Sequence, residues 1–286
     1  MIGEKPIKEY LFLNEAEGHL KHEDYINCPA TAFLKFCMNA KDSIEHCKSN
    51  FPRYPDPESP EAYNKLTKES HVMIQIFLNS ILASLMGHFE TYQKYLFAGV
   101  FERSVYLKDF NGDKFFRNVD SRYKDNEGVV QIGSNHLLAY RGEDSASTGV
   151  ILADTLKGWH TPDQVNKYIK AFGFDNLNFY SSEDIEDLEC LWQLRHSIVH
   201  TAGTITRPDA LKVKKNQLSK FSGKNIVLTN KFIYELSKRM HRLVKSANNR
   251  LEEKFIQNIK DDISDSEKEK IIDFFKVDST NPKWLQ

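Results

Sequence analysis

The side chains best equipped for chemistry fall in one segment, Leu188-Glu-Cys-Leu-Trp-Gln-Leu-Arg195-His196-Ser-Ile-Val-His200-Thr-Ala-Gly203. A guanidinium is a rigid fork of donors that holds an oxyanion by two parallel hydrogen bonds. An imidazole moves protons near neutral pH. Leu188, Leu191, Trp192, Ile198 and Val199 give the segment a buried apolar side. Arg195 projects from or beside that side, where a charge needs a partner or a specialised site. Leu191, Trp192, Ile198 and Val199 occupy the positions one helical turn from it, so any acidic partner must come from another helix, and Glu90 is the candidate. His200 falls in the last turn before Gly203, where the negative end of the helix favours the imidazolium form. His196, one turn earlier, either orients His200, binds an anion, or is merely solvated. Plainer alternatives stay open for the other two: a structural salt bridge for Arg195 and a carbonyl-bonded helix end for His200.

These side chains need a helix to carry them. Ser181 followed by Asp184 resembles a capping box and starts a helix that runs from Glu183 to about His200 and ends at Thr201-Ala202-Gly203. Residues five apart on a helix lie about 140° apart around the axis. One chain therefore does not present Arg195 and His200 on a shared face, and a two-fold interface between motif helices would let four side chains converge.

The rest of the chain reads as helical too. Ala30 to Ser49 has apolar residues at helical spacing, and the four prolines of 52–60 then break the pattern. Ser59, Pro60 and Glu61 open a long proline-free run to Glu102, apolar nearly all round from Ile74 to Leu85, as expected of a helix in a bundle or at a subunit interface. Gly87 marks a kink or a close contact, and Phe89, Tyr92, Tyr95 and Phe97 belong to the core. Tyr106 to about Thr148 is irregular, with a strand-like piece at Val129–Ile132, and reads as an insertion. Thr161-Pro162-Asp163 starts a helix that Gly173 stops. Thr204–Thr206 and Asn225–Thr229 are β-prone and pair around a basic loop. From Lys231 an amphipathic helix buries Phe232, Leu236, Met240, Leu243 and Val244. The expectation is an all-α fold: a bundle of four to five long helices with a small β-prone hairpin and an irregular insertion. It divides into an N-terminal helical extension (1–57), a helical domain (58–260, with the insertion at about 105–160) and a C-terminal tail (261–286).

Here the sequence resembles a known family. HEPN domains carry an Arg, usually followed by Asn, Asp or His, and then a His after a gap of four to six residues, late in a bundle helix. Arg195-His196-Ser197-Ile198-Val199-His200 has that form, and Arg195 is the one arginine in the chain that does. The frame Leu191-x-x-Leu194-Arg195-His196-x-Ile198-Val199-His200-x-x-Gly203 is similar to that of the ribonuclease members. Ser84 to Leu96 resembles their first bundle helix, with Glu90 where an acidic residue often stands. The resemblance covers roughly Pro60 to Phe255. It implies a metal-independent endoribonuclease without cofactors, often a toxin or antiviral effector, which acts as a homodimer with a composite site and leaves 2',3'-cyclic phosphate and 5'-hydroxyl ends. Arg195 and His200 would be catalytic, with His196 and Glu90 supporting them. RNA is the implied substrate, and an antitoxin or regulatory partner is in keeping with that setting. The chemistry is coherent: His200 can shuttle protons, and Arg195 can stabilise a charged phosphorane. The inactive members of the family keep a second reading open, a non-catalytic dimerisation or nucleotide-binding module.

Bulk composition narrows the setting. A 286-residue chain with 40% hydrophobic and 28% charged residues fits a globular protein. The net charge of -1 announces no global polyanion binder, so RNA binding needs a local patch. Arg207, Lys212, Lys214 and Lys215 follow the motif directly and could track an RNA backbone. Cys28, Cys37, Cys47 and Cys190 have no metal-site spacing and read as reduced, packed thiols. His19 and His22 read as surface residues. The mixed charges of the first 25 residues do not resemble a secretory signal, no apolar run reaches membrane-spanning length, and the expected location is the cytoplasm.

Overall fold

The proline-free run after Pro60 becomes the axis on which the other elements lean. The computed structural model describes residues 22–50, 68–120, 132, 134, 147–213 and 218–277. The fold is all-α. In chain order the helices are α1 (His22–Asn27), α2 (Pro29–Asn50), α3 (Lys68–Arg103), α4 (Gly112–Val119), α5 (Thr148–Thr155), α6 (Pro162–Lys170), α7 (Ser182–His200), α8 (Arg207–Lys212), α9 (Asn230–Gln257) and α10 (Asp265–Phe275). The predicted helix start at Ser59–Glu61 and the strand-like Val129–Gln131 lie outside the described residues.

Helix α3 is central because it is apolar on nearly every side, and α2, α5 and α7 pack around it. Its rings form two nests. Phe89 and Tyr92 meet Phe33 of α2 at 5.3 and 5.8 Å, and Phe89 meets Trp192 of α7 at 6.3 Å. Further along, Phe97 meets Trp159, Tyr168 and Phe172 at 5.5, 5.9 and 5.3 Å. Phe89, Tyr92, Tyr95 and Phe97 are all buried, as their spacing predicts. On α9, Leu236, Met240, Leu243 and Val244 are buried along the predicted face.

Several expectations need correction. A short helix, α1, precedes the run that the sequence shows from Ala30, with Glu23 and Asp24 in its first turn. Another, α4, forms inside the presumed insertion because the Asn111 side chain accepts the Lys114 amide at 2.8 Å. Gly87 lies inside the continuous α3, and a Cβ there would meet nothing within 4 Å, so it marks no close contact. The close approaches are at Gly99, which receives the Phe274 ring, and at Gly149, where a Cβ would stand 2.5 Å from the Ala98 carbonyl oxygen. The residues counted as extension and tail share the main core: Phe33, Cys37 and Ile44 of α2 and Ile271, Phe274 and Phe275 of α10 are buried in one cluster with α3. Finally, Val72–Tyr106 is long and apolar enough to cross a membrane by length and composition. Within the molecule, Ile74, Leu78, Leu82, Leu85 and Leu96 of that run fill the core.

The connection from Gly203 to Thr229 has its own small core. Ile205, Ala210, Val213 and Leu218 pack together against Cys190 and Leu194 of α7. Its two β-prone pieces meet in an isolated antiparallel bridge, Thr204 to Asn225, flanked by the bonds Ile205 N to Lys224 O (3.0 Å) and Ile226 N to Gly203 O (2.8 Å). The pairing stops there because Thr206 turns to cap α8. Helices α7 and α9 run antiparallel, with Arg239 bonded to Asp187 at 2.7 Å and Arg250 to Asp184 at 3.2 Å. A groove of about 440 Å³ separates them, lined by Leu191, Leu194 and Phe232.

Candidate active site

Helix α7 carries the motif, and both its ends are fixed. At the start, the Ser181 hydroxyl accepts the Asp184 amide (3.1 Å) while the Asp184 carboxylate accepts the Ser181 amide (2.9 Å), a complete capping box. At the end, the amides of Thr201 and Gly203 both donate to the Ser197 carbonyl, at 3.1 and 2.9 Å. Ala202 (φ 51°) and Gly203 (φ 79°) are both left-handed there, so the chain reverses directly after His200. The left-handed region is costly for alanine, and Gly203 takes the second such position without penalty.

Arg195, His196 and His200 line a single cleft of about 540 Å³. The separation of about 140° does not keep Arg195 and His200 apart. A long arginine side chain spans the difference, and His200 stands at a helix end where no further turn screens it. The composite, two-chain cleft is therefore not needed to bring the pair together. The His196 and His200 rings are 4.8 Å apart. Across from α7, the cleft is walled by His160, Thr161 and Pro162 on one side and by Lys212 and Val213 at the end of α8 on the other.

The electrostatics differ from the expected pairing. Glu90 does not hold Arg195: it bonds Lys94, one turn along its own helix, at 3.3 Å, and Lys94 also reaches Asp154 at 3.6 Å. A helical neighbour at four residues is simply nearer than a residue on another helix. Among the described residues Arg195 has no ion-pair partner. The carboxylate that does reach the motif is Asp209, which the sequence reading missed. It is 4% exposed, and its oxygen lies 3.8 Å from His196 Nε2. It accepts from Thr206 Oγ1 (2.7 Å) and Lys212 Nζ (2.9 Å). The signal was present: Thr206-Arg-Pro-Asp209 has capping-box spacing with proline in the first turn, and it caps α8.

The basic stretch divides. Lys212 is in the cleft, half-exposed and tethered to Asp209. Arg207 is exposed at the start of α8 and does not line the cleft. Lys214 and Lys215 lie outside the described residues. The four cysteines are free thiols, with Cys190 pushed up to about 11 by burial and Cys37 also raised by burial. Among the described residues no group of three or more His, Cys, Asp and Glu is disposed to hold a metal ion. No protein-family model, curated protein or solved structure matches this chain.

Proposed function

We propose that this chain is a metal-independent endoribonuclease of HEPN type, acting in the cytoplasm as a toxin or antiviral effector. The observation that carries the reading is the convergence of Arg195, His196, His200 and Lys212 on one cleft, which Glu189 also lines, with no ion-pair partner for Arg195 among the described residues. Two cations that can hold the non-bridging oxygens of a phosphodiester stand beside two imidazoles that can move protons. In the reaction the 2'-oxygen forms a bond to phosphorus and the bond from phosphorus to the 5'-oxygen breaks. His200 takes the proton of the 2'-hydroxyl and returns one to the departing 5'-oxygen. Arg195 and Lys212 stabilise the charge that builds on the phosphorane. His196, between His200 and the buried Asp209, positions the pair.

A homodimer belongs to this reading. Val72, Met73 and Ile76 are exposed on one face of α3, at 53, 69 and 63%. Gln75, in their midst, clamps Leu228 by two hydrogen bonds of 2.7 and 2.8 Å, which brings exposed Val227 beside them. Exposed apolar side chains of this kind suit a face that a second copy covers. Any antitoxin or regulatory partner would act on this face or on the cleft.

End-group analysis of RNA cut by the purified chain tests the chemistry. Cyclic phosphate and 5'-hydroxyl ends, lost with Arg195→Ala, support it. Linear 3'-hydroxyl and 5'-phosphate ends would sink it.

A further inference from the structure

The cleft has two chemically different ends. Toward the C-terminus of α7 it is cationic, with Arg195, His196 and His200, joined by Lys212 of α8. One turn earlier come Trp192 and Gln193, with Glu189 at the far end of the lining, and His160 meets Trp192 there. Residues 192 and 196 are about 6 Å apart along the helix axis, comparable with the span from a nucleobase to the phosphate of its own nucleotide.

His160 is exposed but not loosely held. It sits in a turn closed by the Thr161 amide on the Gly158 carbonyl at 2.9 Å, with Gly158 left-handed at φ 86°. Trp159 anchors that turn, buried at 3% exposure, with its indole N–H on the Ala153 carbonyl at 3.0 Å. The His160 ring meets Trp192 at 6.3 Å and 72°, an edge-on contact, and His160 is exposed in the cleft lining. Trp192 itself is 6% exposed, and its Nε1 donor has no hydrogen-bond partner. A buried donor without a partner is costly.

We infer that His160 and Trp192 form a nucleobase subsite beside the phosphate-binding end, so that the cleft takes one ribonucleoside phosphate of an RNA chain with its base stacked on His160. The phosphate half of this inference rests on the ribonuclease reading; the base half rests on the turn that holds His160 and on its edge-on contact with Trp192 in the cleft lining.

Calorimetric titration of the full chain tests it with three probes: the four nucleoside 3'-monophosphates, inorganic phosphate, and a 2'-O-methyl oligoribonucleotide that cannot be cut. At least one mononucleotide is expected to bind about tenfold more tightly than phosphate. His160→Ala should remove roughly that factor and leave phosphate binding unchanged, while His160→Phe keeps it. The side chain is exposed, so neither change endangers the fold. Tighter binding of the oligonucleotide than of the mononucleotide assigns the subsite to RNA; equal binding assigns it to free nucleotides. The inference is overturned if wild type binds no nucleotide more tightly than phosphate, or if His160→Ala leaves the difference in place. An intact binding pattern in a protein that never cuts RNA would remove the ribonuclease reading and keep the subsite.

Discussion

Asp209 ties the two sides of the cleft together, since its carboxylate holds Lys212 and faces His196. Burial pushes its carboxyl up. The hydrogen bonds from Thr206 and Lys212, with the positive charge of Lys212 and His196, outweigh that and hold it below the ordinary carboxylate value. A folded-state value below the unfolded one stabilises the protein above the unfolded value, and that stability is lost as pH falls through the folded one. Asp209→Asn should therefore destabilise by roughly 1–3 kcal/mol at neutral pH, with the difference shrinking as pH falls through the lowered folded-state value, as denaturant midpoints at neutral and acid pH would register. At this scale the sequence shows Arg195 and His200 clearly, because residue type, spacing and a glycine stop are local properties. It misassigns Glu90 because the choice between Lys94 and Arg195 depends on packing that one helix does not encode. It leaves Asp209 out because a cap was read for only one of the two helices that meet there.

The ends of α7 do separate work. Its N-terminus lies away from the cleft, and Ser181→Ala, which breaks the capping box, should cost about 1 kcal/mol in thermal or chemical denaturation. At the other end, Gly203 is left-handed three residues after His200. Gly203→Ala should cost about 1–2 kcal/mol, similar in size, but it disturbs the reversal that leaves His200 open. Matched for stability, the Gly203 variant is expected to lose more RNA cleavage than the Ser181 variant; equal losses would mean that the turn only stabilises. The sequence gives the boundaries of α2, α6, α7 and α9 closely because caps, prolines and apolar period agree there. It does not distinguish Gly87 from Gly149. Both are glycines beside helical runs, and only the approach of the Ala98 backbone shows which is irreplaceable. The turn that carries His160 is hidden for the same reason, since its rigidity comes from Trp159 packing on Phe97 and Tyr168.

At the scale of the molecule, α3 is both the core and an edge. Its pattern says that it is apolar nearly all round from Ile74 to Leu85 but not which face is covered, and Ile76 in that run, with Val72 and Met73 just before it, is exposed in the fold. If this face joins two copies, Met73→Lys with Ile76→Lys should shift a dimer to a monomer in light scattering while the folded signal persists; an unchanged mass would place the interface elsewhere. Because one chain brings Arg195 and His200 to one cleft, such a monomer is expected to retain part of its cleavage. The central claim is that this cleft cuts RNA through His200. Its most direct test is digestion of labelled total RNA and tRNA by wild type and His200→Ala, each with and without EDTA. The account predicts EDTA-resistant cutting by wild type and a loss of at least about a hundredfold in the variant. Cutting that EDTA abolishes, or that survives in His200→Ala, would contradict it.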